Sequence, residues 1–190
     1  NVPDYRTSSG DEAVACAELA GLILDDWQRF VLESALGERA DGKWSAATVG
    51  LCVGRQNGKN SILEARELFG LFVLGERTIL HTAHLQTTAS EQFRRIRALI
   101  AGIPEFESRV AKVNRGKGTE SIELITGQRI FFTTRTASVV RGQTFDLVVY
   151  DEAMHLSEHE RSSVTPTLAA LSLHGNVQTW YTGSAVDQLN

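Results

Sequence analysis

An eight-residue stretch, Gly54-Arg55-Gln56-Asn57-Gly58-Lys59-Asn60-Ser61, constrains the fold more than any other part of the chain. It follows the apolar run 46–53 and precedes a segment, Ser61 to Phe72, whose residues favour a helix. Strand, short glycine-containing loop, lysine, helix is the layout of a phosphate-binding loop. Backbone N–H groups at a helix N-terminus point at an anion, and a lysine adds a full positive charge. The match departs from G-x-x-x-x-G-K-[ST] at two places: Val53 stands where the first glycine belongs, and Asn60 where a hydroxyl belongs.

The remaining composition narrows the class. With 190 residues, 42% hydrophobic and 22% charged, the chain is read as one globular domain with a single large core. Nineteen basic against 23 acidic residues give a net charge of −4, which argues against a generic nucleic-acid coat. No apolar run approaches the roughly 18 residues that a bilayer span requires. Cys16 and Cys52 are the only cysteines, and Cys52 falls in the apolar run, so a disulfide framework is not expected.

In chain order, residues 1–10 read as a polar lead-in and Asp11 to Leu19 as a short helix. Asp25 or Asp26 opens another helix, with Trp27, Phe30 and Val31 on one face. Strands are expected at Arg77–Ala83, Ser121–Ile125, Arg129–Thr134, Phe145–Tyr150 and Val177–Tyr181, with helices over Thr88–Ile100 and Ser157–Leu173. Arg109 to Gly118 reads as a polar, basic connection. Alternating strands and helices predict a mostly parallel α/β sheet with helices on both faces.

The strand Leu147-Val148-Val149-Tyr150 delivers Asp151 and Glu152 at its C-terminal end. In a parallel sheet that is the edge where ligands bind, and where the phosphate loop also lies. Asp151 is the expected holder of Mg²⁺, since hard cations take carboxylate oxygens. Glu152 is the expected general base for an attacking water. The side-chain carbonyl of Asn60 could replace the usual hydroxyl on the ion, with Ser61 the rival.

Four segments resemble the large terminase subunits of tailed double-stranded DNA phages. Gly54 to Asn60, with an arginine inside the loop, resembles that family's variant Walker A. Asp25-Asp26-Trp27-Gln28-Arg29-Phe30 resembles its adenine-reading motif, Val148 to Ala153 its Walker B, and Thr182-Gly183-Ser184 its coupling motif. The resemblance implies a P-loop NTPase of the RecA/ASCE-like kind, a mostly parallel central sheet flanked by helices on both faces. It implies a Mg²⁺-dependent ATPase that drives viral double-stranded DNA into a procapsid, as a ring on the portal protein alongside the small terminase subunit. The setting implied is the host cytoplasm, without a membrane. Lys59 would contact the β- and γ-phosphates within the loop formed by Gly54, Arg55, Gln56, Asn57, Gly58, Asn60 and Ser61. Gln28 would read adenine with Trp27 or Phe30 packed nearby, and Arg55 would act on the γ-phosphate or on Glu152. Arg141 is the best match to the family's trans-acting arginine, with Arg135 its rival. Residues 1–21 are a lead-in and 22–190 the ATPase core. The family's nuclease is not expected among these residues. A superfamily 2-type helicase and a nucleotide-binding module that does not hydrolyse ATP remain the alternatives.

Overall fold

The structure, a computed structural model, describes residues 1–135, 143–157 and 175–184. Seven strands form the main sheet: β3 (Thr48–Val53), β4 (Thr78–Ala83), β5 (Val110–Asn114), β6 (Glu120–Leu124), β7 (Arg129–Thr134), β8 (Leu147–Tyr150) and β9 (Gln178–Ser184). Their spatial order is β3-β9-β8-β4-β7-β6-β5. The first five run parallel, and β6 and β5 complete the sheet in antiparallel sense. Two short strands, β1 (Thr7–Ser8) and β2 (Gly37–Glu38), pair separately. Every residue of the inner strands β4 and β8 is buried, as strands covered on both faces require.

Helices α1 (Gly10–Leu19), α2 (Asp26–Ala35), α3 (Lys59–Phe69) and α4 (Gln86–Ala101) contribute to the larger core on one face. Alternate strand residues, Ile79, Ile130, Phe132, Leu147, Val149 and Trp180, reach into it. Their neighbours Leu80, Val148 and Tyr150 point the other way and pack with Phe145, Ala153 and Leu156. The one-turn helix Ala153–His155 contributes to that second face. The helix expected over Ser157–Leu173 lies, beyond Ser157, outside the described residues.

Beneath the sheet edge, α3 buries a charged side chain completely. Arg66 donates from Nη1 and Nη2 to Glu76 at 3.0 and 2.5 Å and from Nε to Gln178 at 3.0 Å. Gln178 in turn donates to the carbonyls of Ala35 and Ala46, and accepts from Trp180. Glycine at position 70 is a condition of this pair, because a Cβ there would overlap Glu76 Oε2.

Cys52 lies in β3, as expected, and is exposed. Two expectations need correction. The basic stretch after Arg109 contains strand β5; its pattern of exposed and half-buried residues hid it, because it is the outer strand of a hairpin. Phe30 does not share a buried face with Trp27 and Val31; it is 59% exposed, and α2 turns Gln28, Leu32 and Ala35 inward instead.

Candidate active site

The loop expected to cradle phosphate joins β3 to the first turn of α3 at the C-terminal edge of the parallel strands. Its backbone takes positive φ twice in three residues, 59° at Gln56 and 77° at Gly58. Gly58 is the N-cap of α3 in left-handed conformation, and a Cβ there would come within 2.6 Å of Gln28 Nε2. Glycine is therefore the residue that fits.

Gln28, one turn into α2, sits under the loop and is nearly fully buried. Its Nε2 donates to the Gly58 carbonyl at 2.9 Å, and its Oε1 accepts from the Asp25 N–H at 2.7 Å. The second bond is one arm of a capping box at the start of α2, with Asp25 as N-cap. The side chain expected to read a base thus fastens the phosphate loop to α2.

Asp151 and Glu152 leave β8 on the same edge. Asp151 Oδ1 accepts from Lys59 Nζ, from Thr182 Oγ1 at 2.8 Å and from the Glu152 N–H at 2.9 Å. Among the described residues its Oδ2 receives no hydrogen bond. Burial by itself raises the Asp151 carboxyl, but the positive charges of His81 and Lys59 and the bonds from Lys59 and Thr182 bring it below its ordinary value. Thr182 is delivered by β9, which lies between the loop strand β3 and the acid strand β8. The segment expected to act as the coupling motif is thereby in hydrogen-bond contact with the carboxylate.

Glu152 adopts left-handed backbone, φ 53° and ψ 46°, which costs a non-glycine residue about 1–2 kcal/mol. Arg135, at the end of β7, offsets this cost. Its Nη2 donates to the carbonyls of Asp151 and Glu152 at 2.5 and 2.8 Å, and its side chain is buried. Arg135 is thus turned inward, against the backbone that carries the two acids. Arg141 itself lies outside the described residues. No sequence signal pointed to Arg135 as a support for Glu152, since the partners are 16 and 17 positions apart and meet only through the sheet.

A cleft of about 540 Å³ gathers the loop residues Gly54, Arg55, Gln56, Asn57, Gly58, Lys59, Asn60 and Ser61 with Asp151, Glu152 and Ser184. Thr88 and Arg95 of α4, with Met154 and His155, complete its wall. Its size lies within the roughly 300–1,000 Å³ of small-molecule sites. Gly183 borders Met154, while Thr182 stands behind Asp151, fully buried. Arg95 is held at Nε by the buried Glu64, whose carboxyl burial pushes upward against the pull of that arginine. Below the site, His81 Nδ1 and Glu67 Oε1 pair at 2.6 Å, and Gln92 donates to the other Glu67 oxygen at 3.1 Å. Burial opposes a charge on this imidazole, but Glu67 outweighs it and raises His81 above its ordinary value.

No family model and no curated protein matches the sequence. Solved structures do match. The HK97 bacteriophage large terminase superposes with a TM-score of 0.77 at 16% identity, over 93% of this chain and 38% of that one. The large terminase ATPase domain of Thermus phage P74-26 gives 0.70 at 19% identity, over 96% of this chain and 72% of that one. The large terminase of a thermophilic bacteriophage, in complex with ATP-γ-S, gives 0.60 at 14% identity, over 85% of this chain and 38% of that one. The chain spans well under half the length of the first and third of these proteins. It carries the fold of the ATPase domains of phage large terminases.

Proposed function

We propose that this chain is the ATP-hydrolysing motor domain of a DNA-packaging terminase. The observation that supports this most directly is the convergence of Lys59 with Asp151 and Glu152 in one cleft, on a fold shared with terminase ATPase domains. Triphosphate enters over the N-terminus of α3, where the loop N–H groups and Lys59 meet it. Lys59 then exchanges Asp151 for phosphate oxygens. Arg55, exposed at the loop and lining the cleft, adds a second cation on the γ-phosphate side. Glu152 accepts the proton of the attacking water. Gln28 contacts adenine, and Arg141 completes a neighbouring subunit's site in a ring on the portal. The nucleic-acid partner is double-stranded DNA, with the small terminase subunit as a further partner and the host cytoplasm as the setting.

The donor set fits Mg²⁺. Asp151 keeps Oδ2 clear of hydrogen bonds among the described residues, and Asn60 offers an amide oxygen to the same cleft. Such hard oxygens suit that cation, with water completing its shell. Held by Asp151 and Asn60, the ion would supply positive charge against the phosphate oxygens.

The purified chain should release phosphate from ATP, and EDTA should stop it. Tight ATP binding without turnover, even in an assembled ring, would favour the non-hydrolysing alternative instead.

Arg135 acts within its own subunit by positioning Glu152. Loss of hydrogen bonds from a charged donor is worth about 1.5–3 kcal/mol, so Arg135→Ala should lower kcat by roughly 10- to 100-fold with KM little changed. Arg135→Lys keeps the charge without the fork and should recover only part of the loss. Mixing Arg135→Ala with Glu152→Ala subunits should restore nothing; recovered activity would mean that Arg135 works across subunits.

A further inference from the structure

The arginines of helix α4 are engaged within the fold. On α4, Arg94 pairs with Glu91 at 2.6 Å, Arg95 with Glu64, and Arg97 with both oxygens of Glu107 at 2.7 and 2.6 Å. Arg29 and Arg39 likewise pair with Glu18 and Asp41. Arg115 and Lys117 differ. Both are exposed at the tip of the β5–β6 hairpin, and neither forms an ion pair among the described residues.

The tip itself is ordered by its own bonds. Asn114 Nδ2 donates to the Thr119 carbonyl at 2.8 Å, while Asn114 Oδ1 accepts from the Gly116 N–H at 2.9 Å. Thr119 Oγ1 donates to the Gly116 carbonyl at 3.0 Å, and Thr133 Oγ1 to that of Gly118 at 3.1 Å. The nearest acid in sequence, Glu120, is turned inward and spent. It accepts from Ser90 Oγ at 2.6 Å, Gln86 Nε2 at 3.1 Å and the Gly118 N–H at 2.7 Å. Two cations are thus held out on a fixed ribbon with no carboxylate to quench them, in a chain whose net charge is −4. Glu120 also bolts the tip to the first turns of α4, whose Thr88 lines the nucleotide cleft.

We propose that this hairpin tip grips the phosphate backbone of duplex DNA through Arg115 and Lys117. The inference rests on the reading of the chain as a DNA-translocating motor domain. Two cations on an exposed hairpin tip suit backbone contacts, which carry no sequence information and so serve a motor that must pass any sequence. The tip, Asn114-Arg115-Gly116-Lys117-Gly118-Thr119, has no aromatic side chain on which the bases of a single strand would stack.

The test compares the chain with its Arg115→Ser/Lys117→Ser variant and with Arg94→Ser as control. Anisotropy of a labelled duplex, and separately of a labelled single strand, is followed over a range of salt, and basal ATP turnover is measured without DNA. Each phosphate contact contributes about 0.9 to the slope of log affinity against log salt. The double variant should therefore bind all duplex sequences more weakly, with the slope reduced by about 2. Arg94→Ser should bind as the parent does, and basal turnover should be the same in all three. Parental affinity and slope in the double variant would overturn the proposal while leaving the ATPase reading intact. Absence of turnover in every protein, even in an assembled ring, with the slope still reduced, would retire the ATPase reading and leave the DNA contact standing. A loss confined to single-stranded DNA would overturn the duplex assignment.

Discussion

Glu152→Ala is expected to lower ATP turnover by about 10²- to 10⁴-fold, the range for loss of a positioned general base, while nucleotide affinity stays near that of the parent. The backbone explains why binding should survive. Glu152 is held by its N–H on Asp151 Oδ1 and by its carbonyl on Arg135, and neither contact involves the carboxylate being removed. Lys59, Asp151 and the loop keep their partners in the variant. Rapid-quench phosphate release together with equilibrium nucleotide binding separates the two quantities. Hydrolysis at the parental rate would rule Glu152 out as the base. Equal losses of binding and turnover would show that the substitution had disturbed the cleft as a whole.

Glu76→Ala should be the costliest single change to stability. Its carboxylate faces the fully buried guanidinium of Arg66, which cannot shed its proton. Removing one member of a buried pair leaves an uncompensated charge and costs about 3–5 kcal/mol. For a domain of this size each kcal/mol moves the thermal midpoint by about 2–4 °C, so calorimetry should find a fall of roughly 6–20 °C. Replacing both partners, as Arg66→Met/Glu76→Leu, should recover much of the loss, because apolar substitutes for such a pair are often near neutral. A midpoint within 2 °C of the parent in Glu76→Ala, a shift that would correspond to roughly 1 kcal/mol, would contradict this account.

What could be read from the sequence was chiefly what is local. The loop 54–61 and the acids 151–152 declare themselves because each abuts an apolar strand and carries its chemistry within a few residues. The parallel sheet followed from the alternation of elements, but its order did not. Nothing in the residues says that β9 lies between β3 and β8, or therefore that the Thr182 hydroxyl meets Asp151. The same limit hid Arg135, whose partners reach it only once β7 and β8 flank β4. Strand β5 escaped because an outer strand has little to bury, so the alternation that marks a strand is diluted by Lys112 and Ala111 on exposed backbone. Phe30 misled for the opposite reason, since an apolar residue on an otherwise fitting face need not be covered.

Gln28 has a consequence for how two ligand groups are felt together. Its amide is already spoken for, between the first turn of α2 and the Gly58 carbonyl. A base that draws on this amide therefore competes with the floor of the loop, and the loop in turn sets the terms on which the base is received. Reciprocity requires that whatever an anion in the loop does to base affinity, the base does equally to anion affinity. Adenosine and tripolyphosphate, titrated singly and then together, would show the size and sign of that mutual influence. Gln28→Ala should bring it close to zero.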